Sequence, residues 1–248
     1  MRENTLQSEI STSISVLDSE TIENAGTQHF EDILSLVPNL NWSGGTNRPR
    51  YFQIRGIGER SQYEGAPNPS VGFIVDDIDF SALGGVATLF DVEQIEVLRG
   101  PQGTLFGRNS TAGLVHFISR KPTEEQEGYL NFEYGSYGTN IVETAISGPI
   151  SDQVRGRLAL KYHQDDGFQD NQGPAGGKLG VTDRIMGRAH LDIDINDDMM
   201  ADFAAKVGSR KFVSASKNFI LASTKLLFSN SSNPSLYDTY GSILSTDV

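Results

Sequence analysis

The sequence predicts an α+β domain followed by an antiparallel sheet of long strands, and two changes along the chain carry that prediction. Up to about residue 122, short apolar runs are separated by glycine, proline and polar loops, with stretches of helical spacing between them. From about Gly128 onward the pattern becomes strict alternation, the signature of strands whose two faces meet different surroundings. Composition agrees: 26 glycines and a hydrophobic fraction of 37% suit turn-rich β structure better than a helical bundle.

In the first part, "SISVL" reads as a strand, and Asp18 can cap a brief helix that stops at Gly26. Thr27 can cap a second helix, in which Phe30, Ile33, Leu34 and Val37 follow helical spacing until Pro38 ends it. Four apolar runs follow, "YFQIRG", "VGFIVDDI", "QIEVLRG" and "LVHFIS". With the polar loops "SGGTNRPR" and "GERSQYEGAPNPS" between them, they read as a small sheet with helices.

In the second part, Leu130, Phe132 and Tyr134 alternate with Tyr129, Asn131 and Glu133. Leu158, Leu160 and Tyr162 oppose Arg157, Ala159 and Lys161, and Ile185, Leu191 and Ile193 oppose Arg184, His190 and Asp192. "ADFAAKV" continues the pattern. One reading is a soluble antiparallel sandwich with one wet face, the commoner case. The other is a transmembrane barrel wall with apolar residues toward lipid and charged ones toward a watery lumen. Alternation fits both. After Lys211 it fades, so residues 211–248 are expected to be irregular.

Several functions are excluded or unsupported. A net charge of −12 opposes nucleic-acid binding, which needs clustered positive charge. Without cysteine there are neither disulfides nor thiolate metal sites. No run approaches the roughly 18 apolar residues of a membrane-spanning helix, and "MRENTLQSEISTS" has no signal-peptide core. "GRNSTAG" lacks the spacing and lysine of a phosphate loop. "DIDINDD" begins like a calcium loop, but Asp197 stands where glycine is required, leaving Asp192, Asp194 and Asn196 as the wet face of a strand. His29, His116, His163 and His190 are widely separated. "DD" in "IVDDIDF" reads as a turn. No enzyme, cofactor or metal site is expected.

"VEQIEVLRGPQGTLFGRNSTAGLVHFISRKPT" resembles the end of the plug domain of TonB-dependent outer-membrane receptors, where a glycine-rich run leads directly into the barrel. "EDILSLVPNLNW", "FQIRGIG" and "PSVGFIVDDI" resemble earlier plug segments in the same order, and "YLNFEYGSYGTNIVETAISGPI" is similar to a first barrel hairpin. The likeness runs over residues 7–207. Two positions depart from it: Ala112-Gly113 stands for Gly-Gly, and His116 for a common Asn.

The resemblance implies an α+β plug over residues 1–122 and antiparallel strands of an incomplete transmembrane β-barrel over residues 123–210. A closed barrel of this kind has about 22 strands, so the chain reads as an N-terminal fragment, with the signal peptide and TonB box expected upstream. Gly100, Pro101, Gly103, Gly107, Gly113 and Pro122 become the plug-to-barrel connector. Arg55 and Arg99 become candidates for locking the plug to barrel glutamates. Arg48, Arg50, Arg60 and Tyr63, on polar plug loops, become candidate contacts to an anionic ligand. The implied function is non-enzymatic uptake across the cell outer membrane of a scarce ligand, most often a ferric siderophore, driven by a TonB-type inner-membrane partner. A carbohydrate or cobalamin receptor, or a soluble β-rich binding protein, is the alternative.

Overall fold

The computed structural model describes residues 13–26, 30–44, 51–61, 69–76, 78–81, 89–172, 176–196, 199–212, 215–228 and 237–247. The chain divides into two compact units, Arg2–Arg120 and Lys121–Val248. Among the described residues no helix is long and apolar enough to cross a membrane.

The first unit starts with β1 (Ser13–Asp18) and α1 (Ser19–Asn24). Asp18 caps α1 by accepting from the Thr21 N–H at 2.8 Å. The Thr21 hydrogen bonds hold the Asp18 carboxyl below the usual range, because they favour its charged form. The expected second helix is a 3-10 helix, Phe30–Leu36; its expected cap, Thr27, lies outside the described residues. Tighter winding suits so short a connector, which ends at Pro38 and turns at Asn39 (φ 62°).

Next come β2 (Leu40–Ser43), β3 (Tyr51–Ile54), β4 (Val71–Val75), β5 (Ile78–Asp79), β6 (Val92–Arg99), α2 (Gly103–Phe106) and β7 (Gly113–Ser119). β2 and β3 pair with each other. The remaining strands form one sheet in the order β1-β6-β7-β4-β5, with β4 and β7 parallel.

Every position of β4 is buried, and nearly every one of β7. That is why these runs lack alternation: both faces are covered. On one face Phe30, Phe52, Phe73 and Phe117 pack together, with neighbouring ring centroids 4.9–6.3 Å apart. On the other, Ile74, Leu98 and Leu114 pack with Ile14 and Phe106.

The second unit is a meander of β8 (Glu127–Tyr134), β9 (Asn140–Ser151), β10 (Val154–Asp165), β13 (Thr182–Asn196), β14 (Met199–Phe212), β15 (Ala215–Phe228) and β16 (Tyr237–Asp247). The small pair β11 (Gln169–Asp170) and β12 (Lys178–Leu179) sits in the long β10–β13 connection. The seven strands of the meander pair antiparallel in chain order, leaving β8 and β16 as the edges of an open sheet. β9 and β10 have 12 residues each and β13 has 15, enough for the roughly 9–11 that a tilted strand needs to cross a bilayer.

The stretch 211–248 does not keep to the irregular course expected of it, since it carries β15 and β16. The strand signal is masked there because apolar residues fall on both parities, Phe219, Leu221 and Leu227 against Ile220 and Leu226.

Candidate functional site

The meander is inverted relative to a soluble sheet. Its apolar face is open: Leu130 is 74% exposed, Phe132 65%, Ile146 63% and Ile185 58%. Its charged face is buried, including Arg157, Lys161, Arg184, Arg188 and Asp202. Burying such charges is costly unless they are paired, and pairs are present. Lys161 Nζ lies 3.1 Å from Glu143 Oε2 on the neighbouring strand, and Arg157 lies 2.9 Å from Glu127. Arg155 meets Asp194 with both terminal nitrogens, at 2.7 and 3.1 Å. Tyr129 donates to Glu143 at 2.9 Å. A soluble sandwich would turn these faces the other way round.

In the first unit, the connector uses its own hydrogen-bonding groups. Gly100 N–H donates to Ala112 O, Gln102 N–H to Ser110 O, Phe106 N–H to Gln102 O and Gly107 N–H to Gly103 O, all within 2.9–3.1 Å. Backbone donors consumed in this way cannot cradle a phosphate. Asn109 (φ 62°) donates to Asp79 at 2.8 Å, tying the connector to β5. Gly103 opens the short α2, and Gly107 follows its end.

The Ala112-for-Gly departure is harmless because the unusual backbone angle falls on Gly113 (φ 156°). A Cβ there would sit 2.5 Å from both Ile54 Cδ1 and Leu98 O, so a side chain is excluded. His116 is buried on β7, with Nδ1 3.3 Å from Glu96 on β6. Pro101 is exposed and Pro122 half-buried.

Arg55 and Arg99 come to the same strand. Arg99 donates to Ser15 Oγ at 2.7 Å and to Pro38 O at 3.3 Å, while Arg55 reaches Ser13 Oγ at 3.4 Å. Arg55 is exposed and holds a left-handed backbone (φ 55°), which costs a non-glycine residue about 1–2 kcal/mol. Arg60 is exposed after the β3 turn. Arg48, Arg50 and Tyr63 lie outside the described residues.

Sequence reasoning passed over two carboxylates that stitch this unit. Glu59 is buried and accepts from the Ser70 N–H (2.8 Å) and hydroxyl (2.6 Å), while its carbonyl accepts from Gln53. Asp76, in the "DD" turn at φ 48°, accepts from the Ser119 N–H (2.8 Å) and hydroxyl (2.7 Å). Both pin strand ends and need no substrate. A short acidic side chain at a tight turn was the available signal for Asp76.

A small domain with a buried aromatic core is followed by a wall of long strands whose apolar face is open and whose charged face is buried. Residues 7–114 match the family model described as TonB-dependent Receptor Plug Domain. The pesticin receptor of Yersinia pestis is 27% identical over 187 residues, covering 75% of this chain and 27% of that protein. The ferripyoverdine receptor of Pseudomonas aeruginosa is 28% identical over 197 residues, covering 78% and 22%. The crystal structure of the ferric yersiniabactin uptake receptor FyuA from Yersinia pestis superposes with a TM-score of 0.70 at 22% identity, over 89% of this chain and 39% of that one. The likeness to TonB-dependent receptors is carried by the plug region, and the chain spans about a quarter of the length of these curated relatives.

Proposed function

We propose that the chain supplies the plug and first wall strands of an outer-membrane receptor that takes up a ferric siderophore with the help of a TonB-type partner. The observation that carries this reading is the inverted wall directly after a plug domain, with Lys161 and Arg157 buried and Leu130 and Phe132 exposed. Relatives named as the ferripyoverdine receptor of Pseudomonas aeruginosa and the ferrioxamine B receptor of Salmonella typhimurium support an iron-chelate ligand, and a relative named as a vitamin B12 transporter makes cobalamin the second reading. Disrupting the gene in the source organism should abolish energy-dependent accumulation of radio-iron from one siderophore and leave cobalamin uptake unchanged. Loss of cobalamin uptake alone would move the reading to that ligand, and no loss of either would sink it.

In this reading Arg55 and Arg99 lock the plug to the wall. The strained backbone of Arg55 supports a role beyond local stability, because a residue kept at φ 55° is one whose side chain compensates for its backbone cost. Arg55→Gly should therefore leave the isolated first unit as stable as before, or raise its unfolding free energy by up to about 1 kcal/mol. In the assembled receptor the same change should raise leak of small solutes. Chemical denaturation and an antibiotic-permeation assay read the two effects. A loss of stability in the isolated unit would make Arg55 a local structural residue.

A further inference from the structure

On the charged face of the second unit, His190 and Asp192 stand two positions apart on β13 and so point the same way. Asp202 stands directly opposite Asp192 on β14. All three are buried, at 6, 5 and 7% exposure. Each offers one ligand atom, and these atoms lie within 4.8 Å of one another. His190 Nε2 is 2.6 Å from Asp202 Oδ1. His190 Nδ1 and Asp192 Oδ1 are buried without a hydrogen-bond partner.

Two carboxylates facing each other across neighbouring strands repel, and a buried carboxylate needs a partner. A protonated His190 would neutralise one of the pair. Lys121 and Arg155 also act on Asp192 through space. Arg155, however, is held by Asp194 at 2.7 Å and Glu124 at 3.2 Å, and Lys121 is exposed. Among the described residues Asp192 Oδ1 keeps no hydrogen-bond partner.

We propose that His190, Asp192 and Asp202 form a binding site for a divalent transition-metal cation of the zinc class. One imidazole nitrogen and two carboxylate oxygens suit such an ion, and their combined charge with neutral His190 offsets its own. Three protein ligands leave a further position for water. The bound ion ties β13 to β14 on the charged, buried face of the wall and satisfies the lone oxygen of Asp192. No histidine spacing marks the cluster in the sequence, because it has one histidine and its third ligand comes from the next strand. The inference does not depend on which ligand the receptor transports.

Titrating the full chain in detergent micelles with Zn²⁺ by calorimetry, and with Co²⁺ by visible absorption, tests the site. One Zn²⁺ per chain should bind saturably, and Co²⁺ should give the d–d bands of a low-coordinate nitrogen–oxygen site. Asp192→Asn and His190→Gln should each weaken binding at least about tenfold, given that even supporting residues around a metal matter by 10–100-fold. Asp183→Asn, on the same strand outside the cluster, should bind as the unsubstituted chain does. Far-UV circular dichroism checks that each variant retains its strands, and either ligand variant alone decides the matter if the other does not fold. Absence of saturable Zn²⁺ binding by the unsubstituted chain overturns the proposal. So does undiminished binding by a folded ligand variant, which would assign the ion to other side chains.

Discussion

Phe73→Ala is expected to cost the first unit about 3–5 kcal/mol, as for other buried aromatic truncations. Phe73 is 2% exposed, and its ring lies 4.9 Å from that of Phe117, 5.4 Å from Phe52 and 6.3 Å from Phe30. The four rings come from the 3-10 helix, β3, β4 and β7, elements far apart in the chain, so little else can close the gap. The substitution loses the transfer free energy of the ring, leaves a cavity and removes aromatic pairs worth about 0.5–1.5 kcal/mol each. Against a total stability of about 5–15 kcal/mol for a small domain, most of the margin would go. Urea denaturation of residues 1–120, followed by the fluorescence of Trp42, the single tryptophan, measures the loss. Leu36→Ala, at a position 47% exposed, should change stability by no more than about 0.5 kcal/mol. Equal small effects at both positions would mean that the aromatic cluster is not the core of an independently folding plug.

The elements that the sequence made legible are those in which one residue type at one spacing has a single cheap explanation. Asp18 before a short polar helix, and the alternation of Arg157, Ala159 and Lys161 with Leu158 and Leu160, are of this kind. The direction of the wall was not legible, because alternation fixes which residues share a face and leaves open which face is covered. Burial decides it: Lys161 is 2% exposed and Leu160 46%. β15 and β16 were missed because their apolar residues occupy both parities. Of the candidate site residues, Arg55 and Arg99 were singled out through motif likeness, but Arg99 reaches Ser15 through the β1–β6 register and Arg55 reaches Ser13 from the turn after β3. Glu59 stayed hidden because nothing local in the sequence marks it, whereas the turn at Asp76 was legible and its partner Ser119 was not, since that depends on β7 lying beside β4. The His190–Asp192–Asp202 cluster required knowing that β14 returns beside β13 in the register that sets Asp202 opposite Asp192.

Leu160→Arg is expected to weaken association of the chain with lipid vesicles by about 2–4 kcal/mol, the cost of a basic residue on the lipid face near the bilayer midplane. Leu160 lies near the middle of β10, on the open apolar face with Leu158 and Tyr162. Its strand partners are Thr144 on β9 and Gly187 on β13, neither of which offers a charge to pair with the new guanidinium. At the strand centre the arginine is also farthest from either interface to which its stem could reach. At about 1.4 kcal/mol per factor of ten, the expected loss is roughly 30- to 1000-fold in partitioning. His163→Arg places the same side chain on the charged face of the same strand, where Asp165 lies 3.6 Å from the imidazole, and should leave partitioning unchanged. Flotation of each variant with phospholipid vesicles reads the difference. If the open face met water in the working protein, Leu160→Arg would behave as an ordinary surface change, within about 0.5 kcal/mol, and the two variants would float alike. That outcome would remove the lipid-facing assignment of the wall, and with it the main support for an outer-membrane receptor.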